Sequence, residues 1–257
     1  MEIKSTSFLQ GPVAEELFAR HRPLISQKAQ KSLNEATVLV AGLGGLGSAV
    51  SEALVRLGVG ELHLIDHGRV DLPDLNRQIL YTASDLGRNK VEAAAQRLSH
   101  IRPGVRLHLH RQTIGPGFAI PSGVNVVVDA LDNLSGRLTL DEAAQKAGVF
   151  LVHAGLDGLF GQVTTIAPYG GPRLREILAG AKQPQRPIVA MAPVCLILGA
   201  LEALEVLKII SGIGKSLVGR LLVVDLLSYS LESIPLRAAK EACPHERKKN
   251  IPPNEIP

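Results

Sequence analysis

The segment Gly42-Leu43-Gly44-Gly45-Leu46-Gly47 constrains this chain more than any other. It follows Val38-Leu39-Val40-Ala41, an apolar run that reads as a short buried parallel strand. After it, Leu46, Ala49, Val50, Ala53, Leu54 and Leu57 recur at the spacing of one helix face. A G-x-G-x-x-G turn between strand and helix lets backbone approach a phosphate, and the helix N-terminus favours negative charge. Asp66 closes the next strand, Leu62 to Ile65, 24 residues after Gly42. A carboxylate there can accept from ribose hydroxyls. Gly42, Gly44, Gly45, Gly47 and Asp66 are therefore expected to contact a nucleotide. Spacing alone does not separate a dinucleotide from a mononucleotide.

The strand-helix alternation continues. Lys90 to Ile101 reads as a helix, Arg106 to His110 and Val124 to Asp129 as strands, Leu134 to Ala147 as a helix, and Val149 to His153 as a strand. Such alternation predicts an α/β, doubly wound, Rossmann-like and mostly parallel sheet with helices on both faces. Beyond residue 154 the pattern changes. Gln162 to Ala167 reads as a strand of a different sheet, and 168–188, rich in Gly, Pro, Arg and Gln, as an exposed loop. Met191 to Ile210 reads as a helix, and Leu221 to Leu226 with Ser228 to Leu236 as an antiparallel pair. The expected organisation is a single unit over 1–257. It comprises N-terminal helices at 13–34, a nucleotide-binding half at 37–155, an antiparallel half at 156–236 and a loose tail at 242–257.

Composition narrows the function classes. Apolar residues are 46% and charged residues 20%, which argues against disorder, collagen-like repeats and coiled coils. Aromatics are 3% with no Trp, too few for a base-stacking platform. The net charge of +4 suits an anionic small molecule or an acidic partner protein better than a DNA duplex. Two cysteines, Cys195 and Cys243, fit a reducing cytosol. The first residues lack an apolar signal core. The most apolar stretch, Ile188 to Ile210, is interrupted by Glu202, Glu205 and Lys208, so it reads as a buried or interface helix rather than a membrane span. The expected location is cytoplasmic.

Three further segments bring charge toward the glycine turn: Asp74-Leu75-Asn76-Arg77-Gln78, Gly87-Arg88-Asn89-Lys90 and Asp129-Ala130-Leu131-Asp132-Asn133. A dinucleotide has two phosphates, already served by the helix N-terminus. Arg77 and Lys90 with an acid suggest a triphosphate and a metal. His108 and His110 alternate on one strand and share a face, which reads as solvent-facing, with a metal pair as the alternative. His153 at a strand end could line a substrate channel or be a satisfied buried histidine.

These residues together resemble the ThiF/MoeB/HesA family, bacterial relatives of ubiquitin-activating enzymes. The resemblance covers roughly residues 15 to 236. It rests on Arg20, GLGGLG at 42–47, Asp66, LNRQ at 75–78, GxxKVE at 87–92, DALDN at 129–133 and Met191-Ala192-Pro193 leading into a helix. It implies a doubly wound sheet with an antiparallel extension and a homodimer. It also implies an adenylyltransferase that joins ATP to the C-terminal Gly-Gly carboxylate of a small ubiquitin-like carrier. In that reading Gly45 contacts the nucleotide, and Asp66 holds the ribose. Asn76, Arg77 and Lys90 contact phosphates. Asp132 positions Mg2+ and the reacting phosphates, with Asn133 beside it. Arg20 reaches the γ-phosphate in the neighbouring subunit.

The chain departs from the family pattern in places. Of the two Cys-x-x-Cys pairs that often hold zinc, the first is replaced by Pro168-Tyr169-Gly170-Gly171-Pro172-Arg173. The second is reduced to Cys243-Pro244-His245. Two ligands do not close a tetrahedral site, so no structural zinc is expected. No cysteine lies between 155 and 194, and Cys195 sits in an apolar helical run, so adenylation without a covalent cysteine intermediate is expected. Asp74 stands where the family commonly has Asn, and Gly68 where it often has Asp. The expected substrate is the C-terminal glycine of a sulfur carrier of thiamine or molybdopterin type. A small-molecule carboxylate, or tRNA threonylcarbamoyladenosine dehydration, stands as the alternative. From other classes come a nicotinamide-dependent oxidoreductase and a non-catalytic scaffold subunit.

Overall fold

The computed structural model describes residues 16–183 and 185–236. Cys243 and the tail lie outside them, as does the start of the N-terminal helical region. Helix α1 spans Gln27–Glu35, and its N-cap Ser26 accepts a hydrogen bond from Ala29 N. Five parallel strands follow in the order of a doubly wound sheet: β1 (Thr37–Ala41), β2 (Glu61–Ile65), β3 (Arg106–His110), β4 (Val126–Asp129) and β5 (Phe150–Asp157). The connecting helices are α2 (Gly45–Leu57), α3 (Lys90–Ile101) and α4 (Leu134–Ala147). Strand β6 (Phe160–Ile166) precedes the short α5 (Leu174–Ile177) and the long α6 (Ala192–Ser211), and β7 (Arg220–Asp225) and β8 (Ser230–Pro235) complete the chain.

All eight strands belong to one sheet, ordered β3-β2-β1-β4-β5-β6-β7-β8. This corrects the expectation that Gln162 to Ala167 joins a different sheet. Strand β5 runs to Asp157, the chain reverses at Gly158 (φ +64°), and β6 returns antiparallel along β5. The compositional change near residue 154 marks a change of strand direction, not of sheet. Strands β7 and β8 extend the antiparallel half as expected. The segment 168–188 is largely exposed, but it also contains α5, whose Leu174 is fully buried, and Arg173 pairs with Asp141 of α4. Among the described residues no helix is long and apolar enough to cross a membrane.

Successive side chains of a strand point to opposite faces, and both faces here are covered. Val38, Val40, Leu62, Leu64 and Val126 pack with Leu54 of α2, Leu98 of α3 and Val206 of α6. Leu39, Ala41, Val127 and Leu151 pack on the other face with Leu140 and Ala144 of α4. Each of these fully buried Leu and Val side chains contributes on the order of 1.5–3 kcal/mol of transfer free energy.

The sheet order reverses between β1 and β4, where a doubly wound fold opens a crevice at the strand C-termini. The glycine turn sits at that point. Gly42 has φ +90°, and a Cβ there would lie 2.6 Å from Ala130 O. A Cβ on Gly47 would lie 1.8 Å from Gly42 O, so the first turn of α2 rests directly on the end of β1. Gly47→Ala is expected to cost about 1–3 kcal/mol of stability through overpacking against backbone. Gly115→Ala, in open space, should change it by less than about 0.5 kcal/mol. Urea unfolding of the two variants measures the difference.

Candidate active site

A cleft of about 580 Å³ opens above the glycine turn. Its walls come from the C-terminal ends of β1, β2 and β4, the segment after β2, the N-termini of α3 and α4, and the chain leading into α6. Gly42, Gly44, Gly45, Asp66, Arg77, Lys90, Asp132 and Asn133 all line it. Gly47 lies behind the turn. Asn76 is exposed beside the cleft, and its Oδ1 accepts from Arg77 Nη1 at 3.1 Å. Arg20 is exposed and does not line the cleft.

Asp66 ties β2 to the glycine turn. Its Oδ2 accepts from Leu43 N at 2.8 Å and its Oδ1 from Gly68 N at 2.6 Å. The carboxylate is thus held at the cleft floor, and each oxygen keeps a second lone pair for a ligand hydroxyl. Tyr81, buried, donates to Leu43 O at 2.9 Å and fixes the other side of the turn; burial pushes its phenol up.

Arg77 and Lys90 come together through Asp74. Lys90, the first residue of α3, places Nζ 3.0 Å from Asp74 Oδ2, and Arg77 Nη2 lies 3.5 Å from Oδ1. Gln78 donates to Oδ1 at 2.6 Å and Asp71 N to Oδ2 at 3.1 Å. Both cations are mostly buried, and an unpaired buried charge is costly, so Asp74 holds them at the cleft. The sequence marks Asp74 as a departure from the family pattern. The structure makes it the pivot of the two cations.

Asp132 is exposed at the rim, and its carboxylate makes no ion pair among the described residues. Asn133 caps α4: its Oδ1 accepts from Gly136 N at 2.7 Å. That oxygen is committed to the helix, although the residue faces the cleft as expected. Arg137, one turn further along α4, was not singled out by the sequence; its i+4 spacing from Asn133 is the signal that places it on the same side. It lines the cleft and donates to Ala154 O at 2.7 Å and also to Leu131 O.

Beneath Arg137 lies a buried layer. His153 Nδ1 is 2.7 Å from Asp129 Oδ2, and Arg137 Nη1 is 3.5 Å from the same oxygen. Burial opposes ionisation of Asp129, but Arg137 and His153 outweigh it, and the carboxyl titrates below its ordinary value. Burial, more than any neighbour, lowers the His153 imidazole. Of the two readings left open for His153, the buried and satisfied histidine is the one observed. Glu202 of α6 is fully buried with neither carboxylate oxygen hydrogen-bonded. Burial first, and the Asp129 charge second, push its carboxyl well up, which favours the neutral acid.

Cys195 is buried on α6 as expected. It also forms part of the cleft wall: a Cβ on Gly45 would meet its Sγ at 2.5 Å. Burial pushes the thiol up, with Arg77 opposing. A thiol held protonated is a poor nucleophile.

The architecture defines a doubly wound α/β protein with an antiparallel extension and a cationic cleft at the sheet's reversal point. This chain belongs to the ThiF family, whose pattern matches residues 18–245. It is 32% identical over 242 residues to the adenylyltransferase and sulfurtransferase MOCS3-2 of Zea mays, covering 89% of this chain and 49% of that protein. It thus spans about half the length of that relative. It is 34% identical over 244 residues to the sulfur carrier protein adenylyltransferase of Thermus thermophilus, covering 87% and 88% of the two chains. The fold is similar to the crystal structure of E. coli MccB, with a TM-score of 0.78 at 18% identity over 91% of this chain and 73% of that one.

The buried layer gives a pH dependence. The folded-state pKa of His153 is lowered from 6.5, so its neutral form stabilises the fold above that pH, and the contribution is lost as pH falls below it. Asp129, whose value is lowered from 3.8, stays ionised in that window. Urea unfolding should therefore lose up to about 1.4 kcal/mol per pH unit through His153 as pH falls from 6.5. His153→Gln should show a correspondingly flatter acid slope.

Proposed function

We propose that this chain is an ATP- and Mg2+-dependent adenylyltransferase. Its substrate would be the C-terminal glycine carboxylate of a small ubiquitin-like sulfur carrier protein, of thiamine or molybdopterin type. The observation that carries this reading is the convergence of Arg77 and Lys90 on Asp74 at the cleft, with Asp132 exposed at the rim. A dinucleotide would leave those groups without a task. The Thermus relative, named for activating a sulfur carrier, supports the same substrate class.

The chemistry asked of the residues is charge control. The carrier's carboxylate oxygen attacks the α-phosphorus of ATP; a new C–O–P bond forms, and the bond to the β-phosphate oxygen breaks. The products are an acyl-adenylate and pyrophosphate. A carboxylate needs no general base, so the protein's part is alignment and neutralisation. Asp66 would hold the ribose, and the backbone of Gly44 and Gly45 would border the phosphates. Arg77 and Lys90, swung from Asp74, would take charge developing on pyrophosphate. The oxygen chemistry of Asp132 fits Mg2+, which when bound supplies neutralisation of the phosphate oxygens. No cysteine step is needed: the thiol of Cys195 is buried and held protonated.

A homodimer and a cytoplasmic location complete the reading. Helix α6 exposes Leu196, Ile197 and Leu204 along one side, an apolar stripe suited to a second copy. Arg20, exposed and away from its own cleft, would then serve the neighbouring subunit.

ATP–pyrophosphate exchange with a panel of small proteins ending in Gly-Gly tests the reaction. Exchange is expected with one carrier, and Asp132→Ala should lower it by about 100- to 1,000-fold or abolish it with the fold retained. Exchange undiminished in Asp132→Ala would remove Asp132 from the site, and no exchange with any carrier would remove the substrate class. Mixing Arg20→Ala with Asp132→Ala protein should restore activity, because each mixed dimer holds one complete site. No recovery, with subunit exchange demonstrated, would contradict action of Arg20 in the neighbouring subunit's site, and full activity of Arg20→Ala alone would place Arg20 outside catalysis.

A further inference from the structure

On the far edge of the sheet, strands β2 and β3 carry a second cluster of chemistry-bearing side chains. Their parallel register sets His63 opposite His108, with Glu61 opposite Arg106 and Ile65 opposite His110. Residues two apart share a face, so Glu61, His63, His108 and His110 all lie on one side. His108 and His110 were expected to face solvent, with a metal pair as the alternative. Instead the His63 ring stacks between them, 4.5 Å from His108 and 5.1 Å from His110. The sequence could not reveal this group of four, because half of it comes from β2 and only the register joins the halves.

One donor atom from each of Glu61, His63 and His108 lies within 4.8 Å of the others. Glu61 Oε1 is 2.7 Å from His108 Nε2 and 3.8 Å from His63 Nε2. Ligands at about 2.0–2.1 Å in a tetrahedron sit about 3.3 Å apart, between these two values. His108 Nε2 is buried but not aligned to hydrogen-bond Oε1, so it has no hydrogen-bond partner. The surrounding groups hold the candidate ligands. Arg106 donates Nε to Glu61 Oε2 at 2.9 Å and leaves Oε1 to face His108 and His63. His63 Nδ1 lies 2.9 Å from His110 Nε2, so a proton on Nδ1 bonded to His110 leaves His63 Nε2 as a lone-pair donor. A neighbour that fixes a ligand's tautomer is a regular feature of metal sites.

We propose that Glu61 Oε1, His63 Nε2 and His108 Nε2 bind Zn2+, with water as the fourth ligand and His110 orienting His63. Two imidazoles and a carboxylate form a borderline N/O donor set suited to this ion. Binding tilts the His63 and His108 rings out of their stack toward a common point. The ion would staple edge strand β3 to β2. The Asp66 backbone N–H donates to His110 O at 3.2 Å, so the staple would also brace the strand end that carries Asp66. The proposal does not depend on the adenylation reading.

The test uses the full chain, stripped with a chelator and titrated with Zn2+ against a chromophoric competitor. One equivalent is expected to bind. Glu61→Gln and His108→Gln should each weaken binding at least about 10-fold, and His110→Ala by about 10- to 100-fold. Cys243→Ser should leave it unchanged, which separates this site from the Cys243-Pro244-His245 segment. Should the variants fail to fold, zinc X-ray absorption of the wild-type chain decides. A first shell of nitrogen and oxygen with imidazole scattering supports the site. Sulfur in that shell, no stoichiometric binding, or binding unaffected in a folded His108→Gln variant would overturn it.

Discussion

The closeness of Gly42 to Gly47 is the constraint on which the rest depends. The start of α2 lies against the carbonyl at the end of β1, with no room for a side chain on Gly47. That contact leaves Gly44 and Gly45 lining the cleft, with Gly45 close against the Cys195 thiol. It also sets Leu43 N where Asp66 can accept from it, which joins β2 to the turn. The opposite wall arises from the same place, because Gly42 approaches Ala130 at the end of β4, two residues before Asp132. Close backbone packing at the reversal point therefore gathers residues from three strands into one site.

The charges follow a second logic. Arg77 and Lys90 are mostly buried, and buried cations need partners. Asp74 provides one carboxylate oxygen to each, with Gln78 and the Asp71 N–H satisfying the remainder. The cations are thus held at the cleft before any anion arrives. At the ends of β4 and β5, Asp129 and His153 form a buried pair with Arg137, which reaches from it to the cleft wall. The long helix α6 closes the site from the antiparallel side, bringing Cys195 against the glycine turn.

Much of this was legible in the sequence because local patterns carry it. The glycine turn, the α2 face and the alternation through residue 154 all rest on periodicity and turn chemistry within short windows. Lys90 and Arg77 were legible because each follows a recognisable segment. What was not legible depends on pairing. That β6 joins the main sheet follows from the reversal at Gly158, not from its own composition. Asn133 carries two readings at once, since an Asn before a helix is both a cleft neighbour and a natural cap. The value of Asp74 emerges only when Arg77 and Lys90 are seen on its two oxygens. Likewise His63 gains meaning only beside His108, and register alone puts them together.

The central claim is that the cleft is built for a nucleoside triphosphate rather than a dinucleotide. Calorimetric titration of the full chain with ATP, AMP and NAD+, each with Mg2+, tests it directly. Two charge-assisted contacts from Arg77 and Lys90, at about 1.5–3 kcal/mol each, predict that ATP binds at least about 100-fold more tightly than AMP or NAD+. AMP binding as tightly as ATP, or NAD+ binding more tightly, would contradict the account.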